Sequence, residues 1–111
     1  MQFEQSMIAS ALIVKIQVSR VVAGVASEFK EALVACINQG HKKIVLDLGD
    51  VTFIDSSGLG ALIGSLKAMG GEGQLVLCSA CDAVINMLKL TRMDKVFLIF
   101  GTPEEAALAI S

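Results

Sequence analysis

The stretch VTFIDSSGLGALIG, residues 51–64, passes from a β-branched apolar run through one acid and two serines into a glycine-seeded helical pattern. Leu59, Leu62, Ile63 and Leu66 fall at i, i+3, i+4 and i+7, the apolar stripe of a helix expected over residues 57–69. Each glycine in a helix interior costs about 1 kcal/mol relative to alanine, so Gly58, Gly60 and Gly64 together give up about 3 kcal/mol of local propensity. Off the stripe lie Gly58, Gly60, Ala61, Gly64, Ser65, Lys67 and Ala68, a nearly uncharged face of small residues. Another backbone approaches such a face closely. That backbone is either a neighbouring helix of the same domain or the surface of another protein.

Outward from this stretch, strands and helices alternate. Residues 7–11 and 12–18 read as two strands, the second alternating Leu12, Val14, Ile16 and Val18 with Ile13, Lys15 and Gln17. VASEFKEALVACINQG sets Val25, Phe29, Ala32, Leu33, Cys36 and Ile37 on one helical face, with Gly40 as its stop. KKIVLDL and QLVLCS read as buried strands on either side of the glycine-rich helix. DAVINMLKL is a helix with Val84, Met87 and Leu88 inward, and KVFLIF is a further strand. TPEE opens the last helix, with Thr102 as N-cap, Pro103 in the first turn and Glu105 completing a capping box. The pattern predicts an α/β fold, a mixed and mostly parallel central sheet with helices packed on it, formed as one domain over residues 1–111.

Composition narrows the function. In 111 residues, 54% hydrophobic and 18% charged, 9 basic and 11 acidic side chains give a net charge of −2 with no basic cluster. With neither tryptophan nor tyrosine for stacking, nucleic acid is not an expected partner. No uncharged run approaches the roughly 18 residues of a membrane span, so membrane insertion is not expected. The opening MQFEQSMIASALIV lacks the basic start of a secretory signal, which predicts a cytoplasmic location. Three cysteines make no disulfide framework.

Ser56 and Ser57, with Asp55 before them, stand where a helix N-cap belongs. Capping accounts for one of the three residues, not for the row. A phosphoryl group on a serine here would meet unpaired N–H groups at the positive end of the helix dipole. It would also set about two negative charges on the rim of the small-residue face. A partner docked on that face would then be repelled, a binary switch with no chemistry by the chain itself.

FIDSSGLGALIG resembles the phosphorylation segment of the bacterial anti-sigma-factor antagonists, the stand-alone STAS domains. KIVLDLGDVTFIDSSGLG, the later QLVLCSACDAVINMLKLTRMDKVF and the element order extend the resemblance over nearly the whole chain. The resemblance implies a STAS-like fold and a non-enzymatic regulator. Its implied partners are a serine protein kinase of the histidine-kinase ATPase fold, acting as the anti-sigma factor, and a serine phosphatase. It implies Ser56 as the phosphorylated residue, with Ser57 a cap and minor acceptor. Asp55, Ser57, Gly58, Leu59, Gly60, Ala61 and Gly64 become the expected partner-binding set, and no cofactor or metal is implied. Ser19, Arg20, Val21 and Val22 depart from the family pattern, which places an aspartate where Val22 stands. That departure leaves the partner's identity open, including an output other than a sigma factor. A second reading is a STAS scaffold subunit, never phosphorylated, within a signalling or lipid-transport complex.

Rival chemistries fit less well. GLGALIG is one residue too long for the dinucleotide fingerprint, and no acid follows about 20 positions on. Cys78 and Cys81 form a C-x-x-C, but late in the chain, after Leu77 and around Ser79-Ala80 rather than an aromatic and a proline. A zinc site would need Cys36, His41, Cys78 and Cys81 together, although Cys36 sits on an apolar stripe and His41 is expected in solvent. A serine hydrolase lacks the glycine before DSSG and a suitably placed histidine. Lys42 and Lys43 read as a solvated pair at a helix end.

Overall fold

The computed structural model describes residues 3–111. A hairpin opens it: β1 (Phe3–Ile8) pairs antiparallel with β2 (Ala11–Ile16). Ala11 begins the second strand rather than ending the first, because the chain turns at Ala9 and Ser10, with Ala9 in the left-handed region at φ 54. Then come β3 (Arg20–Val21), α1 (Ala23–Asn38), β4 (Lys43–Asp47), β5 (Phe53–Ile54), α2 (Ser56–Met69), β6 (Gln74–Cys78) and α3 (Asp82–Leu90). A single 3₁₀ turn (Met93–Lys95), β7 (Ile99–Phe100) and α4 (Pro103–Ile110) complete the order.

The main sheet runs β1-β2-β4-β6-β7, with every pair after the first parallel. Alternation along the central strands divides the interior in two. Leu12, Val14 and Ile16 of β2, Ile44 and Leu46 of β4 and Leu75 and Leu77 of β6 meet α1, α2 and α3. Ala11, Ile13, Val45, Val76 and Cys78 point the other way, onto Ala106, Ala107 and Ile110 of α4. Thr102 caps α4 as the sequence predicts, its Oγ1 accepting the Glu105 N–H at 3.1 Å.

Three elements differ from expectation. KVFLIF forms a strand only at Ile99 and Phe100, because Phe97 turns inward to 2% exposure and takes the preceding residues out of the sheet plane. In α1, Ala26, Phe29, Leu33 and Cys36 are buried, whereas Val25, Ala32 and Ile37 are half-buried. On α2, Leu59 and Leu62 are buried but Ile63 and Leu66 are only half so. Ala61, Ser65 and Met69 complete the interior face instead, since the helix is rotated to lay small residues against α1.

Candidate functional site

The DSSGLG segment is held by a second, two-stranded parallel sheet that the periodicity does not reveal. Arg20 pairs with Phe53 and Val21 with Ile54. The Ser19 carbonyl accepts from Thr52 N–H at 2.7 Å and from Thr52 Oγ1 at 3.0 Å, and Val21 O accepts from Asp55 N–H at 3.3 Å. These bonds launch α1 and α2 side by side from adjacent strand ends. The Arg20 guanidinium lies 4.5 Å from the centre of the Phe53 ring, which braces the outer side of this small sheet.

Asp55, not Ser56 or Ser57, is the N-cap of α2. Its extended backbone and its Oδ1, accepting the Gly58 N–H at 2.9 Å, match the capping geometry. The expected capping role of Ser57 is therefore corrected: both serines already lie inside the helix, which begins at Ser56. Both are exposed, and neither hydroxyl is needed to close the helix start.

The expected partner-binding residues separate into two groups. Ser57 and Gly60 are exposed, and Asp55 and Gly64 are half-buried. Gly58, Leu59 and Ala61 are buried within the domain; of the three only Ala61 lines the groove between α1 and α2. A Cβ on Gly58 would stand 2.6 Å from both Val21 O and Ile54 Cγ2, so only glycine lets α2 seat on the small sheet. A Cβ on Gly60 meets nothing within 4 Å. Gly64 faces α1, where its Cβ would meet Lys30 Cε at 2.9 Å. The small-residue face is thus shared. Gly64 and Ala61 serve the packing of α1 on α2, Ser65 is buried with its Oγ donating to Ala61 O at 2.8 Å, and the Ser57–Gly60 end stays open.

That open end is a groove of about 390 Å³ between the two helices, walled by Ala23, Ser27 and Lys30 of α1 and Ser57 and Gly60 of α2. The α1 wall is what sequence reasoning missed. Its signal was present, since Ala23, Ser27 and Lys30 recur at i, i+4 and i+7. Val22, where the resemblance expects an aspartate, is the N-cap of α1 and supplies no side-chain hydrogen bond.

The cysteine chemistries lose their geometry. Cys78 packs on the α4 side of the sheet, whereas Cys81 packs on the other side and its Sγ donates to Val51 O at 3.5 Å. Cys36 is buried in α1, its sulfur accepting from Gln5 Nε2 at 3.3 Å. Burial pushes both the Cys36 and Cys78 thiols up, Cys78 to about 11, the opposite of an activated thiol. Among the described residues no group of three or more His, Cys, Asp or Glu could hold a metal ion. His41 is half-buried rather than solvated. Lys42 pairs with Glu72 at 3.3 Å.

The STAS domain family pattern matches residues 4–106. This chain belongs to the STAS domain family. A Thermotoga maritima protein named as an anti-sigma factor antagonist is 38% identical over 71 residues, 63% of this chain and 63% of that protein's length. A crystal structure of an anti-sigma factor antagonist from Thermotoga maritima superposes with a TM-score of 0.89 at 29% identity, covering 97% of this chain and 93% of the other. The anti-sigma-B factor antagonist of Staphylococcus aureus is 29% identical over 80 residues, 70% of this chain and 74% of its own length. The STAS fold and the mixed, mostly parallel sheet agree with the fold read from the sequence. Among the described residues no helix is long and apolar enough to cross a membrane.

Proposed function

We propose that this STAS domain, a single unit over residues 1–111, is a phosphorylation-switched anti-sigma factor antagonist. Unmodified, it docks the open end of the α1–α2 groove on a serine kinase anti-sigma factor of the histidine-kinase ATPase fold. That kinase phosphorylates Ser56, and a serine phosphatase reverses the step. The domain itself performs no catalysis; it is the substrate and the competitor. The names of its relatives support the role, and one structural observation carries the site. The Ser56 hydroxyl is exposed in the first turn of α2 while Asp55 already caps that helix, so the serine is spared for another task.

The physics of the switch is local. A dianion on Ser56 would sit among the first N–H groups of α2, where the helix dipole tolerates it. It would also stand one turn before Gly60 on α2, beside Ser57 of the groove wall, where a partner packed against Gly60 would have to desolvate it. Binding and phosphorylation therefore oppose each other without any rearrangement of the fold.

The test is intact-mass analysis of the chain and its Ser56→Ala variant after incubation with host lysate and ATP. A gain of one phosphate by the wild type alone supports the switch. A gain by both moves the acceptor elsewhere and refutes Ser56. No gain by either supports the unphosphorylated scaffold instead.

A further inference from the structure

β7 is the terminal strand of the main sheet, and only Ile99 and Phe100 pair with β6. Leu77 N–H donates to Leu98 O and Ser79 N–H to Phe100 O, so the even-numbered residues turn their main chain toward β6. By the alternation of a strand, Ile99 turns its N–H and C=O outward to the open edge. Beside it Val96 and Leu98 stay 50% and 63% exposed. They rim a groove of about 350 Å³ whose floor is apolar, with Leu66, Leu75, Val76 and Ile110 in its lining.

Edges of this kind are ordinarily guarded by charge or proline. β1, the opposite edge, carries Glu4 in its exposed stretch. The β7 edge is short, two residues, and carries no charge of its own, since residues 96–102 contain no charged side chain. Charge is instead placed at its two ends: exposed Arg92 and Lys95 with half-buried Asp94 before it, a net positive end, and exposed Glu104 and Glu105 after it. Lys95, Glu104 and Glu105 form no ion pair among the described residues.

We propose that the β7 edge is a self-association surface on which a second copy of this chain pairs antiparallel, as a two-fold symmetric dimer. Antiparallel pairing reverses one copy against the other, so Lys95 of each approaches the Glu104–Glu105 end of its mate. Parallel pairing would set like charges together. The two-fold axis repeats the match and closes the assembly at two copies. Leu98 and Val96 leave solvent near that axis, and the outward main chain of Ile99 gains a partner. The surface shares no residue with the groove at Ser57, so this inference does not depend on the switch proposed for Ser56.

Sedimentation equilibrium of the full chain, up to about 1 mM, tests it. The expected mass is twice 11.7 kDa at the upper concentrations. Leu98→Lys, an exposed substitution, is expected to leave the chain monomeric. Lys95→Glu alone, and Glu104→Lys with Glu105→Lys, are each expected to raise the dissociation constant about tenfold. Combining all three changes restores the charge match and returns the constant to within about threefold of the wild type. A wild type that stays monomeric throughout overturns the proposal. So does a Leu98→Lys variant that still dimerises, or a triple variant no tighter than its parents.

Discussion

Asp55, Gly58 and Gly60 divide between them the work that six letters, DSSGLG, superficially assign to a cap and a flexible helix. Removing the cap with Asp55→Ala leaves the Gly58 N–H without its acceptor and is expected to cost about 1 kcal/mol, whereas Asp55→Asn retains most of it. Gly58→Ala drives a Cβ onto the backbone carbonyl of Val21, which has no rotamer by which to retreat. It should destabilise by about 1–3 kcal/mol. Gly60→Ala, with open space around its Cβ, should instead gain up to about 1 kcal/mol of helix propensity. Urea denaturation of the four variants checks the order, and a Gly58→Ala as stable as Gly60→Ala would refute the packing role of Gly58. At this scale the sequence showed that the glycines were unusual but not which of them the fold requires. That depends on Val21 and Ile54, of which Val21 lies 37 positions away in the chain.

Elements were legible where a period, an apolar run or a cap marked them. α1, α2 and α3 follow from helical apolar periodicity, β2 from alternation, β4 and β6 from short continuous apolar runs, and α4 from its TPEE cap. β3 and β5 are pairs of residues, too short to show any period, and their pairing is non-local. β7 was overestimated because Val96, Phe97 and Leu98 have strand propensity, but Phe97 finds more burial beneath the sheet than within it. The entry to α1 shows how one residue tunes an element. Val22 has the extended backbone of an N-cap, φ −116 and ψ 177, and an aliphatic side chain that accepts nothing. Val22→Asp is therefore expected to stabilise the chain by about 1 kcal/mol, by supplying an acceptor to the first turn of α1. An unchanged urea midpoint would show that those N–H groups are already satisfied.

At the scale of the whole molecule, the sheet is a partition, and the cysteines report on which side each residue lies. A C-x-x-C read from sequence places its two sulfurs within easy reach along the chain. The fold separates them, because Cys78 faces α4 and Cys81 turns toward Val51 in the layer of α1, α2 and α3. A disulfide needs its Cβ atoms about 4 Å apart with the side chains converging, whereas these two turn to opposite sides of the sheet. Mild oxidation of the native chain is accordingly expected to leave the mass unchanged at this pair. The same treatment in concentrated urea should remove two hydrogens and map to Cys78 and Cys81. Burial, with smaller contributions from the carboxylates of Asp47 and Glu104, holds the Cys78 thiol at about 11 against an ordinary 9.0. The folded chain thus keeps this proton at pH values where the unfolded chain has lost it. The stabilisation is present in full below pH 9.0 and drains away as pH rises toward about 11. Native protein that forms the Cys78–Cys81 bond near neutral pH would contradict the two-sided core, in which these sulfurs belong to opposite layers.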